Sequence, residues 1–312
     1  MTLIGVRTSG RPLITFIVIL GVWSHNSMSQ DQVTPPTVAR EDIHDFDDDS
    51  FTDRNVCLVT GAASGIGRAT ALAAAGNGLT VAATDVDEEG LDGTVDRGEE
   101  LDLGGTIESI PGDLTDDGDL ERIVDEAAEL GDIKYLANVA GMQHIDPIED
   151  FPMETYDTMH RIMLRAPLYL SKLCIPHFRE TEDGEGCVGN MGSVHGHYVT
   201  SDKVGYNVSK FGLRGLTQSI AAEGEGAIRS FSVSTGYVKT PLVTDQLEDT
   251  AEQRGISVDE VIEDVMLGQS RVKEMMEPVD VANLFLLGFS DLGRHLDGGD
   301  LLFDGGMTLT YE

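Results

Sequence analysis

The chain has 312 residues, enough for one domain of about 250 residues and an N-terminal extension. Its 55 acidic against 21 basic residues give a formal charge of −34, a sign that disfavours nucleic-acid binding. Cys57, Cys174 and Cys187 are odd in number, widely spaced and without a Cys-x-x-Cys, which fits reduced, buried thiols rather than a disulfide framework or a zinc site.

Leu13 to Trp23 is a short apolar run preceded by Arg7 and Arg11, the pattern of a signal-peptide core and too short for an ordinary transmembrane helix. No small-x-small cleavage site follows it. Met28 then precedes a polar, acidic leader. The expectation is a cytoplasmic protein whose translation begins at Met28, with residues 29–53 a disordered acidic tail; a membrane anchor formed by the apolar run stands as the alternative. Residues 1–53 are thus set apart as an extension, and 54–312 as the main domain.

From residue 55 onward strand and helix patterns alternate. Asn55 to Thr60 reads as a buried strand, and the turn Gly61-Ala-Ala-Ser-Gly-Ile-Gly67 leads into the Ala-rich helix Arg68 to Ala75. Strand, glycine turn and helix suit a dinucleotide. The glycines allow a tight turn and close backbone approach, and the helix N-terminus offers free N–H groups to a pyrophosphate. The next strand, Leu79 to Asp85, ends on an acid eighteen residues after Gly67. A carboxylate there bonds ribose hydroxyls and repels a 2′-phosphate, so NAD is expected as cofactor.

Further strands are expected at Thr106 to Ile110, Ile133 to Val139, Cys187 to Met191, Arg229 to Ser234 and Leu301 to Phe303. Leu120 to Leu130 is an amphipathic helix, Thr155 to Phe178 is mostly helical with Pro167 and Pro176 as kinks or ends, and Val204 to Glu223 is a helix. The fold class is α/β, a single Rossmann-type doubly wound parallel sheet with helices on both faces. Residues 241–276 form a long acidic helical stretch after the sixth strand, expected as a mobile substrate lid.

Tyr206 and Lys210 lie four apart, on one face of the expected helix, thirteen residues after Ser193. A lysine beside a phenol lowers its pKa toward neutrality and makes it a usable acid/base. With the glycine turn, Asn138-Val-Ala-Gly141 and Ser193, this spacing resembles the short-chain dehydrogenase/reductase family over residues 54–312.

The resemblance implies roles. Tyr206 is the general acid/base, Lys210 supports it and holds the ribose, and Ser193 orients the substrate oxygen. The cofactor set it implies is Gly61, Ser64, Gly65, Ile66, Gly67, Asp85, Asp113, Leu114, Asn138, Gly141, Tyr206, Lys210, Val238 and Thr240. Ala140 to Pro152, Gly192 to Gly196 and Gly236 to Gln246 further resemble the D-3-hydroxybutyrate dehydrogenase branch. That branch implies that Gln143, His195, Lys203 and Gln246 hold a substrate carboxylate, beside Ser193 and Tyr206, with Tyr237 closing the pocket. A homotetramer is implied in the same way.

The chain departs from the family at four places. Met163 stands where the family has an Asn that kinks a helix and holds a relay water. Thr235-Gly236 replaces Pro-Gly, Tyr237 replaces a Trp, and Met307 replaces another. The expected activity is NAD-dependent hydride transfer at C3 of a short hydroxy acid. Another alcohol or a 3-oxoacyl thioester as substrate, or a nucleotide-binding protein of low turnover, stand as alternatives. No metal is expected, because His195-Gly-His197 has no evident third ligand. The acid excess is spread along the chain and repels itself until salt screens it, which points to a salt-rich, halophilic cytoplasm.

Overall fold

A computed structural model describes residues 35–309. Seven parallel strands form one sheet in the order β3-β2-β1-β4-β5-β6-β7. They are β1 (Asn55–Thr60), β2 (Thr80–Thr84), β3 (Thr106–Ser109), β4 (Asp132–Asn138), β5 (Gly186–Met191), β6 (Ile228–Thr235) and β7 (Asp300–Phe303). The strand order reverses between β1 and β4, and such a switch point opens a crevice at the strands' carboxyl ends.

Burial on both faces explains the continuous apolar strands. In β1, Cys57 and Val59 face one core while Val56 and Leu58 face the other, the alternation a strand imposes. The first core is closed by α1 (Gly65–Gly76) and α10 (Pro278–Phe289), which contribute Leu72, Phe285 and Phe289. The second is closed by α3 (Asp117–Leu130), α5 (Ala166–Glu180) and α6 (Val204–Gly224), which contribute Ile123, Phe178 and Ile220. Helix α2 (Glu88–Glu100) packs Leu91 into the first core. It starts at Asp87, whose carboxylate accepts from the Gly90 N–H, a side-chain cap on an orphan donor.

Between α4 (Met153–His160) and α5 the helix loosens into a π turn over Arg161–Arg165. Pro167 sits in the first turn of α5, where its missing N–H is tolerated, and Pro176 lies inside that helix.

The expectation of a disordered tail up to residue 53 does not hold for residues 35–53. Val38, Ile43 and Phe51 are buried in the first core. The segment is also stitched by side-chain amides. Asn77 Oδ1 accepts from the Phe46 N–H, Asn283 Oδ1 accepts from the His44 N–H, and Asn283 Nδ2 donates to the Asp42 carbonyl. Acidic composition suggested solvation, but three spaced apolar residues, each contributing about 1.5–3 kcal/mol on burial, suffice to dock the segment. The apolar run Leu13 to Trp23 lies outside the described residues.

The stretch after β6 forms α7 (Pro241–Thr244), α8 (Leu247–Arg254), α9 (Val258–Glu260) and a π turn over Val261–Met266. Leu247, Ala251, Val261, Ile262, Met266 and Met275 form a small core of their own, against which Tyr237 packs. The chain returns to the point it left: Val238 bridges Met276, and the Lys239 N–H donates to the Met276 carbonyl at 2.9 Å. A segment with its own core and adjacent ends can move as a unit.

Candidate active site

The glycine turn sits at the carboxyl end of β1. Gly61 has φ +72°, and a Cβ there would meet the Ala140 backbone at 2.8 Å. At Gly67 a Cβ would come within 2.0 Å of the Gly61 carbonyl oxygen. Both positions therefore exclude any side chain, and they let the first turn of α1 lie open beneath a groove. Thr60 Oγ1 ties the turn to the next crossover, accepting from the Val139 and Ala140 N–H groups at 3.0 and 3.1 Å.

The groove measures about 330 Å³ and is lined by Gly61, Ser64, Gly65, Ile66, Gly67, Asp85, Asp113, Leu114, Gly141, Lys210 and Thr240, among others. Eleven residues of the expected cofactor set thus share one surface. A helix N-terminus, a glycine cradle and a carboxylate at the tip of β2 together fit a dinucleotide. Asp85 also braces the turn: its Oδ2 accepts from the Ala63 N–H at 3.2 Å and its Oδ1 from the Asp87 N–H at 3.1 Å. Arg68, on α1, is turned away onto the Ala63 and Gly90 carbonyls and Thr94 Oγ1.

Three members of the expected set stand differently. Asn138 is buried and donates to Asn190 Oδ1 at 2.9 Å instead of lining the groove. Val238 is buried in its bridge with Met276. Tyr206 does not line the groove and lies against the His195 ring and Lys210.

The expected catalytic residues come together where β5 and α6 meet. Ser193 follows β5, with its Oγ accepting from the His195 N–H at 3.2 Å. Tyr206 lies in the first turn of α6, and the Ser193 hydroxyl is its hydrogen-bonding neighbour. Lys210, one turn later, is buried. Its Nζ donates to the Met191 carbonyl at 2.6 Å and lies 5.3 Å from the Tyr206 ring centre.

Burial governs the titration of Tyr206 and Lys210. It raises the Tyr206 phenol above its ordinary value, and the Ser193 hydrogen bond opposes this. It lowers Lys210 to about 8. The sequence suggested that Lys210 would pull the phenol down. In this structure desolvation of the phenol prevails, and the lysine's own hydrogen bond goes to Met191.

His195 sits edge-on to the Tyr206 ring at 5.5 Å, and its Nε2 lies 3.0 Å from Thr200 Oγ1. Burial, then the charges of Lys203 and Lys210, lower it to about 4, so the imidazole is neutral at neutral pH. Lys203 is half-buried at the start of α6 and is also lowered, by burial first and by the Arg254 charge second. Tyr237 is an electrostatic neighbour of Tyr206. The two expected glutamines are turned onto backbone: Gln143 Oε1 accepts from the His144 N–H, and Gln246 Nε2 donates to the Leu242 carbonyl. Lys203 and Tyr237 thus act electrostatically on His195 and Tyr206 respectively, while Gln143 and Gln246 hydrogen-bond local backbone.

Met163 lies in the π turn before α5, buried with Phe151 and Met159, and Tyr206 packs against this cluster. The irregular helix is present without the family's Asn. Thr60, Arg68 and Thr200 were missed from sequence. Thr60 carried a signal, as a hydroxyl at the last position of the strand that feeds the glycine turn. Among the described residues no group of three His, Cys, Asp or Glu side chains is arranged to hold a metal, and His197 instead pairs with Asp300 at 2.8 Å. No helix among them is long and apolar enough to cross a membrane.

A family model described as enoyl-(acyl carrier protein) reductase matches residues 61–308. The D-beta-hydroxybutyrate dehydrogenase of Rhizobium meliloti (strain 1021) is 32% identical over 255 residues, covering 80% of this chain and 97% of that one. The 3-oxoacyl-[acyl-carrier-protein] reductase of Thermotoga maritima is 30% identical over 256 residues, covering 81% and 98%. The crystal structure of levodione reductase superposes with a TM-score of 0.76 at 28% identity, over 84% of this chain and all of that one. With the parallel sheet, the glycine cradle and the Ser193, Tyr206 and Lys210 centre, these matches make the chain an oxidoreductase of the short-chain dehydrogenase/reductase family.

Proposed function

We propose that this enzyme interconverts a short 3-hydroxy acid, such as 3-hydroxybutyrate, and its 3-keto acid, with NAD as cofactor. The observation that carries the reading is Lys203. It is a half-buried cation at the reacting end, three residues before Tyr206, with no ion pair or side-chain hydrogen bond among the described residues. A substrate carboxylate supplies the missing partner, and burial strengthens that pairing. Neutral His195 adds a hydrogen-bonding group beside it.

The nicotinamide, when bound, accepts or donates the hydride. The chain's own residues handle the proton. In the oxidative direction Tyr206 takes the hydroxyl proton in its ionised form, which burial disfavours and the Ser193 hydrogen bond favours, while Ser193 Oγ holds the same oxygen and the Lys210 ammonium lies beside the ring. The buried cluster of Phe151, Met159 and Met163 keeps one side of Tyr206 dry.

NAD is favoured over NADP because Asp85 lines the groove, whose only basic lining residue among those described is Lys210, and Arg68 is engaged elsewhere. The lid role of residues 241–276, a homotetramer, and a salt-rich cytoplasmic setting belong to the same reading. A 3-oxoacyl or other alcohol substrate is the second reading, supported by the similarity to the Thermotoga reductase.

The test is steady-state kinetics of the full chain with both cofactors on 3-hydroxybutyrate and on a neutral secondary alcohol. Lys203→Ala should raise KM for the acid at least ~10-fold, the scale of a lost charge-assisted contact, and barely touch the alcohol. Equal losses on both would make Lys203 a structural residue and remove the acid from the reading.

A further inference from the structure

Helix α8 carries a second cation toward the same place. Leu247, Ala251 and Arg254 lie on one helical face, at spacings of four and three residues. Leu247 and Ala251 are buried in the small lid core against which Tyr237 packs. Arg254 closes the helix, and Gly255 turns the chain away with φ +67°. The guanidinium is exposed and lies near enough to Lys203 and Tyr237 for its charge to act on both.

Neither Lys203 nor Arg254 has an ion pair or a side-chain hydrogen bond among the described residues, in a chain with 55 acids. Other lysines here do find acids: Lys134 pairs with Asp183 and Lys239 with Glu277. Like charges near enough to act on each other repel, and an anion between them relieves the repulsion. One carboxylate matches one of the two cations. The other remains unmatched when the substrate is a monoanion.

We infer that Arg254 is a specificity-determining residue, and that the substrate is a hydroxy acid with a second anionic group at its far end. A dicarboxylate fits this description, with one carboxylate on Lys203 and the second on Arg254. The inference rests on the hydroxy-acid reading of the site and narrows its substrate class. It also explains the placement of α8. An anion bridging Lys203, fixed on α6, and Arg254, carried by the lid, draws the lid closed.

The test compares 3-hydroxyglutarate with 3-hydroxybutyrate, at one ionic strength because salt screens an exposed guanidinium. The wild-type enzyme should prefer the dicarboxylate in kcat/KM. Arg254→Gln should lower that preference at least about 5-fold, the upper range for a solvent-exposed ion pair, and Arg254→Lys should keep part of it. A wild type that prefers the monocarboxylate, or a preference unchanged by Arg254→Gln, overturns the inference. Turnover of neither acid would instead remove the hydroxy-acid reading. Arg254 is then read separately, by calorimetric binding of glutarate and butyrate to the enzyme with NADH: tighter glutarate binding that depends on Arg254 supports the second anion site, and equal binding ends it.

Discussion

Lys210→Met separates what the site needs from what the fold tolerates. The ammonium is buried and titrates near 8, against an ordinary value of 10.5. Below both values the unfolded chain holds the proton at less cost than the folded one. Stability is therefore reduced at neutral pH and recovers as pH rises from about 8 to about 10.5, because the unfolded state binds more protons across that window. The deficit at pH 7 is about 3 kcal/mol. Methionine removes it but leaves the Met191 carbonyl without its donor, which costs about 1–3 kcal/mol. The variant should thus be inactive and yet as stable as the wild type, or more stable, at pH 7. Chemical denaturation at fixed high salt, followed by circular dichroism, reads both proteins. Between pH 7.5 and 10 the wild type should gain about 2 kcal/mol relative to the variant. Burial raises the cysteines and Tyr135 in both proteins alike, so the contributions of these groups, which lie away from Lys210, cancel in the difference. Parallel stability curves would show that burial does not depress Lys210, and the account of the site's electrostatics would fail with it.

Asp85→Ala should narrow the preference for NAD over NADP in kcat/KM. It should also cost about 1 kcal/mol or more, since the Ala63 and Asp87 N–H groups lose their acceptor; an unchanged cofactor ratio would refute the assignment. Met163→Asn brings a polar amide into a packed apolar cluster, so we expect lower stability, with a modest gain in turnover if the amide recruits a relay water. A variant no faster than wild type would show that this site turns over without that relay. A chain beginning at Met28 should keep activity, while one beginning at Arg54 should lose several kcal/mol because Val38, Ile43 and Phe51 leave the core. Molar KCl should be required for full activity of any of these proteins, checked by titrating salt at constant pH; full activity in dilute buffer would refute the self-repulsion argument.

Most of the sheet was legible because its strands are buried on both faces and therefore read as unbroken apolar runs. Asn55–Thr60 is the clearest case, framed by a polar leader and a glycine turn. What escaped were helices without a readable stripe. Helix α2 is acidic along most of its length and buries only Leu91, Thr94 and Gly98. Helix α10 is apolar nearly all round, since it lies against the first core and beneath the docked N-terminal segment, so no polar face marks its period. That segment was misread for a related reason. Its three buried residues are too far apart to make a pattern, and their partners, Asn77 and Asn283, are remote in sequence.

The site divides along the same line. Local geometry was readable: the glycines, Asp85, Ser193, and the four-residue step from Tyr206 to Lys210 each follow from what one turn or one helix can present. Properties that arise only when elements meet were not. That Asn138 turns to Asn190, or that Lys210 donates to Met191, depends on strand register between β4, β5 and the helix across them. Met163 joins the two cases. Its sequence position marked a side chain that cannot make the family's relay hydrogen bonds, and the structure adds a π turn over Arg161–Arg165 with Met163 packed into the cluster beside Tyr206. The irregular backbone therefore does not depend on an asparagine side chain. Met163 instead adds an apolar thioether to the buried cluster against which Tyr206 packs, at the position where the family places a hydrogen-bonding amide.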